Sequence, residues 1–366
     1  MNEPVLQIVP LGMPWPTIDP FLFCVHHVDA YPPGNGRFGP DAPLAGRELG
    51  SDFAGLDGWR MYHGCEVPGF PQHPHRGFET VTYVRQGLID HSDSLGAAAR
   101  FGRGDVQWLT AGAGIVHAEM FPLHDIEGPN PVELFQIWVN LPSSDKMAAP
   151  HFTMLWDEHM PRRCVVAADR AEPPMVEVTV IAGKLVDADG ALDPLAPPPA
   201  SWASHLDADV AIWHVHLEAG GSWQLPPAAS GATVRSLYVF GDGDLTIGGQ
   251  SVPTGHVAAI LPMATPVLAS RTGTEVLMLQ GRPIGEPVAQ YGPFVMNDRA
   301  GVERAMSDYR QTQFGGWPWP TDGPVHGELA ATSCGRFAHH PDGRLDLPAS
   351  ERPASTRRRA AAEDAR

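Results

Sequence analysis

Short runs of alternating β-branched and aromatic residues, each soon cut off by glycine or proline, constrain this chain more than any other feature. Residues 80–84 lie between Gly77 and Gly87, residues 106–110 follow Gly104, residues 132–139 follow Pro131, and residues 176–181 form a fourth run. Alternation at period 2 puts one side of each run toward a core, and a lone strand leaves its backbone polar groups unpaired. Gly and Pro number 39 and 38 in 366 residues, which favours many short elements joined by turns over long helices. The expected fold class is all-β, a sandwich or barrel with few short helices.

The pattern then occurs a second time. Residues 194–199 (Pro-Leu-Ala-Pro-Pro-Pro) form a stiff, exposed connection that neither strand nor helix can cross. Beyond it lie alternating runs at 210–217, 233–240, 244–247, 256–261 and 274–279. Two β-barrels of similar design are expected, with the boundary somewhere in 142–205. The expected division is 1–145 for the first barrel and 146–205 for connecting strands and the proline-rich linker. A second barrel then occupies 206–316, and 317–366 form a largely disordered extension. The one expected helix spans 298–309, with Asn297 as N-cap and Val302, Ala305, Met306 and Tyr309 at helical spacing.

Composition removes several function classes. The chain carries 25 basic and 42 acidic residues, a net charge of −17, so it repels phosphate on average and no direct nucleic-acid contact is expected. Arg357, Arg358 and Arg359 read as a solvated tail. Cys24, Cys65, Cys164 and Cys334 show no C-x-x-C spacing and read as reduced thiols. No apolar run is long enough for a membrane-spanning helix, and the N-terminal stretch lacks a basic leader region. A soluble, cytoplasmic monomer is the expectation.

Chemistry concentrates in two motifs, Gln72-His73-Pro74-His75-Arg76-Gly77 and Gly112-Ala113-Gly114-Ile115-Val116-His117-Ala118-Glu119. Each sets two candidate ligands at i and i+2, so in extended backbone both project from one face. Facing one barrel interior, His73, His75, His117 and Glu119 form a mixed nitrogen and oxygen set. Such a set suits Fe(II), with Mn, Ni, Cu and Zn also able to bind. Gly112 and Gly114 permit the turn that brings the second pair inward. The other histidines fit less well. His26-His27 and His339-His340 are adjacent pairs that would face opposite sides of a strand. His214 and His216 lack a second pair downstream and His256 is isolated, so the first barrel is expected to bind the metal and the second to be metal-free. Glu79 lies four residues after His75, where even spacing permits a place on the ligand face, although a hydrogen-bonding role fits it better. His91, Gln136 and Trp138 are candidates for lining the pocket or orienting a ligand.

The residues 73–81, 104–108, 110–120, 134–142, 285–288 and 291–297 together resemble the pirin family of the cupin superfamily. The resemblance runs over about residues 15–316 and departs at 31–51, in the proline-rich connection and after Gly316. It implies a bicupin of two jelly-roll domains with iron in the N-terminal one, held by His73, His75, His117 and Glu119. Some members are similar to quercetin 2,3-dioxygenases. They imply a small aromatic substrate plus O₂, with Glu119 as both ligand and proton acceptor. Other members act as iron-dependent partners of transcription factors or metabolic enzymes, which implies a protein partner and a redox-sensing role without catalysis.

Overall fold

A computed structural model of the chain describes residues 3–166, 175–327 and 335–351. Cys334 and Arg357–Arg359 lie outside these residues. The alternating runs are strands almost residue for residue: Phe78–Gln86, Val106–Thr110, Asn130–Asn140, Val176–Ala182, Ala211–Leu217, Val234–Val239, Leu245–Ile247, His256–Ile260 and Thr274–Gly281. Further strands, among them Val5–Pro10, Phe21–Tyr31, Gly69–His75, Leu88–Asp93 and Ile115–Met120, complete two compact units.

Among the described residues the units are not consecutive halves of the chain. One draws on His26–Gln136, Ser143–Glu158 and Pro287–Arg366, the other on Met1–Val25, Ile137–Pro142 and His159–Glu286. The sequential division 1–145, 146–205, 206–316 therefore differs from the folded arrangement. The first strand shows why: Val5–Pro10 pairs antiparallel with His256–Ile260, across most of the sequence. Local alternation reports the face a strand buries, not the partner it finds.

In the unit built around His26–Gln136, a six-stranded sheet runs in the order Leu345–Asp346, Phe337–His339, Ala98–Gly102, Leu88–Asp93, Ile115–Met120, Gly69–His75. A five-stranded sheet runs His151–Leu155, Val106–Thr110, Phe78–Gln86, Asn130–Asn140, Phe21–Tyr31, and of its last two strands residues 130–136 and 26–31 belong to this unit. Ile89, Phe101 and Ile115 from the first meet Val84, Leu109, Leu134 and Phe152 from the second in one core. The other unit repeats the design. A seven-stranded sheet packs Val178, Val215, Leu237 and Val276 against Trp223, Ile247, Val252 and Leu268 of a four-stranded sheet. Both units are cupin barrels.

The expected helix exists as Arg299–Thr312 and buries Val302 and Ala305. Its N-cap is Asp298, not Asn297: the Asp298 carboxylate accepts from the Gly301 amide, satisfying a donor that the helix cannot pair internally. This helix has 14 residues, and among the described residues none is long and apolar enough to cross a membrane. Residues 194–199 carry no element, yet Pro198 is buried, so the connection is less exposed than its composition suggests. The stretch after Gly316 also departs from expectation. Trp317–Gly327 lies along the outer face of the six-stranded sheet, and Phe337–His339 pairs with Ala98–Gly102. Trp319, Phe337 and Ala338 supply apolar and ring surface that a reading of charge and proline content discounts.

Candidate metal centre

Gly69–His75 is the edge strand of its sheet, which is why it tolerates Pro71 and Pro74: an edge leaves alternate N–H positions unpaired. It runs antiparallel to Ile115–Met120, with His73 directly opposite His117 and Phe70 opposite Glu119. Three residues thus answer two across this interval, a bulge at Pro71–Gln72 that sets His73 in register with His117. Ile115, His117 and Glu119 alternate onto the core side, as Ile115's place in the core shows.

The structure brings together His73, His75 and His117. Their ligand atoms all lie within 4.8 Å of one another, and the ring centroids of His73 and His117 are 4.4 Å apart. His117 is fully buried with no hydrogen-bond partner for either ring nitrogen, an arrangement that costs free energy unless another ligand fills it. His73 Nδ1 lies 2.8 Å from the Pro71 carbonyl. A carbonyl only accepts, so Nδ1 carries the proton and Nε2 keeps its lone pair. Burial lowers the His73 pKa to about 4 and holds His75 and His117 well below the ordinary histidine range. All three imidazoles are neutral near pH 7, the form that donates to a metal. The donor set and the orphaned nitrogens of His117 fit a mononuclear first-row cation.

Glu119 stands apart from this trio. Its Oε1 is 2.9 Å from Thr82 Oγ1, and its Oε2 accepts from Gln136 Nε2 at 3.1 Å. Burial raises its pKa, against the lowering effect of those two neighbours. Thr82 Oγ1 is also 2.6 Å from Gln136 Oε1. One hydroxyl proton cannot serve both acceptors. The 2.6 Å contact needs that proton, since two bare acceptor oxygens repel, so Thr82 donates to Gln136 and accepts from a protonated Glu119. An ionised Glu119 would claim the Thr82 proton and force Gln136 Oε1 to move away.

His91 is fully buried opposite Glu119, its ring 5.6 Å from that of His117 and its Nε2 3.2 Å from Asp93. Gln136 hydrogen-bonds Glu119, whereas Trp138 packs with Phe23. Glu79 lies on the opposite face of its strand from Thr82 and Val84 and accepts from Thr110, so it is not on the ligand face. The remaining histidines are spent elsewhere: His26 on Glu133, His27 on Tyr62, and His214 on Glu275, while His340 stacks edge-on with Phe152. Gly112 and Gly114 both adopt positive φ, at +47° and +134°. A Cβ at Gly112 would meet the Ala148 carbonyl oxygen at 2.1 Å. Thr82 was invisible as a site residue, although its even spacing from the core residue Val84 marks it as inward-facing. The residues after Gly316 that touch these strands carried no signal at all.

A histidine cluster inside the first of two jelly-roll barrels defines a two-domain cupin. The comparisons narrow this further. The profile of the family described as Pirin matches residues 49–139, and that of the Pirin C-terminal cupin domain matches residues 212–315. Two Pseudomonas aeruginosa proteins, both named provisionally as quercetin 2,3-dioxygenases, are 38% and 40% identical to this chain. Each alignment covers 67% of this chain and 79% of the relative. The chain belongs to the pirin family. The crystal structure of a quercetin 2,3-dioxygenase from Acinetobacter baumannii superposes with a TM-score of 0.64 at 26% identity, covering 85% of this chain and 98% of that one.

Proposed function

We propose that the first barrel is a mononuclear metal-dependent dioxygenase site for a flavonol-like substrate, with His73, His75 and His117 as ligands. Fe(II) is the proposed metal, and Glu119 a fourth ligand that turns inward when the site is loaded. The observation that carries this reading is the trio of neutral imidazoles on the same core face as a buried carboxyl group hydrogen-bonded by Thr82 and Gln136. When bound, the metal supplies Lewis acidity toward a substrate hydroxyl and redox chemistry with O₂. Glu119 takes the hydroxyl proton, since its raised pKa brings it closer to that of the group it must deprotonate. Thr82 and Gln136 then turn their donors to whichever oxygen holds charge. The names of the relatives support the substrate class.

Protein reconstituted with Fe(II) should bleach the quercetin absorbance in air with release of CO. His117→Ala should lose both metal and activity, and Glu119→Gln should keep metal while losing most turnover, roughly the 10²–10⁴-fold that general base catalysis contributes. Fully loaded protein that consumes neither flavonol nor O₂ would sink the proposal.

A further inference from the structure

The matched family profile ends at residue 315, and the residues just beyond it touch the metal-bearing sheet at several points. Trp319 Nε1 donates to the Asp93 carbonyl at 2.8 Å. The His326 amide donates to Asp90 at 2.7 Å, and His326 Nε2 lies 2.8 Å from the His91 carbonyl. These contacts cover the outward-facing Asp90–Arg100 ion pair, which is fully buried. Gly323 sits against Met120, where a Cβ would come within 2.9 Å of the sulfur. The fourth contact falls at the site itself. Gln72 donates its amide N–H to the Asp322 carbonyl at 2.7 Å and its side-chain Nε2–H to Asp322 Oδ1 at 2.6 Å.

Gln72 is the bulge residue before His73. On an edge strand a bulged residue has no ladder partner on its open side, and a slip of one residue turns the strand's side chains to the other face. A slip would place Gln72, not His73, opposite His117. We infer that the segment from Trp317 to Gly327 is a strap that positions the metal centre, with Asp322 as the positioning residue that pins the bulge and so holds His73 on the ligand face. Asp322 touches neither metal nor substrate in this scheme; it acts through Gln72. The inference rests on the three-histidine reading of the site.

Zinc(II) binding to the full-length chain, measured by competition with a chromophoric chelator, tests it alongside hydrogen exchange of the Gln72 amide. Wild type should take up one zinc. Asp322→Ala keeps the backbone carbonyl that accepts from the Gln72 amide and loses only the side-chain bond; it should bind about tenfold more weakly, the low end for loss of an outer partner that orients a ligand, and the Gln72 amide should exchange faster as the remaining backbone bond opens more often. Asp322→Asn keeps an oxygen that can accept from Gln72 and should restore both readings. Exchange in the strand Ala211–Leu217 should be the same in all three proteins, which separates local release from general unfolding. Equal zinc affinity in wild type and Asp322→Ala overturns Asp322's role as the pin while leaving the histidine site intact. Wild type that takes up no zinc overturns the metal reading and this inference with it.

Discussion

Gly114→Ala tests whether the turn before His117 is held by packing from the end of the helix. Gly114 has φ +134°, and a Cβ there would stand 2.6–2.7 Å from three ring carbons of Phe314. The ring has little room to retreat. The Arg76 guanidinium lies 4.4 Å from its centroid, and the rings of Tyr309 and Phe294 are 5.3 and 6.0 Å away. Two costs add. A non-glycine residue in that backbone region costs about 1–3 kcal/mol, and overpacking costs about 1–3 kcal/mol more. The sum, roughly 2–6 kcal/mol, is a large share of the ~5–15 kcal/mol that stabilises a typical domain. Calorimetry on the metal-free protein should show the transition of the unit that contains the three histidines moving down while that of the other unit stays. Phe314→Ala in the same background removes the overlap but not the backbone strain. The double variant should therefore be about 1–3 kcal/mol more stable than the two single losses predict. A Gly114→Ala loss within about 0.5 kcal/mol, the range of an ordinary surface change, or strict additivity in the cycle, refutes the reasoning.

Two further outcomes are expected. Asp90→Ala leaves the Arg100 guanidinium buried beneath the strap without its carboxylate, and urea denaturation should show a loss of about 3–5 kcal/mol; a loss below about 1 kcal/mol would mean that water reaches the cation. Burial holds the His27 pKa at about 3, against an ordinary value of 6.5. Between these two values the unfolded chain binds a proton there that the folded one does not. Stability should therefore fall as pH drops from about 6.5 toward about 3, with no further loss from this group below that. In His27→Gln the slope of urea-derived stability against pH over this window should flatten, and an unchanged slope would assign acid sensitivity to other groups.

Much of the fold was legible because its signal is local. Alternation located nine strands to within two residues or so, since each buries one face whatever its partner. The i, i+2 spacing of His73 with His75 and of His117 with Glu119 likewise reported shared faces. Pairing was not legible. The union of Val5–Pro10 with His256–Ile260 depends on contacts that no window of sequence contains. Residues 317–327 and 337–339 were misjudged for a related reason. Their few apolar residues matter through the surface they meet, the buried ion pair of Asp90 and Arg100, and that surface lies far away in the chain.

The same distinction explains why three histidines converge while Glu119 is held back. Spacing predicts the face on which a side chain lies, but a ligand set also requires register between strands, and here register turns on a single extra residue. Without the bulge at Pro71–Gln72, Phe70 opposite Glu119 would put Gln72 opposite His117, and the i, i+2 pattern would point both histidines away from the core. The motif is thus necessary and not sufficient. Glu119, one step further along its strand, meets Thr82 and Gln136 of the facing sheet, which offer the carboxyl group hydrogen bonds that compete with any cation. Losing either of those hydrogen bonds alters one side chain, whereas loss of the bulge would move a whole strand face. Metal affinity should therefore be more sensitive to what pins Gln72 than to what holds Glu119.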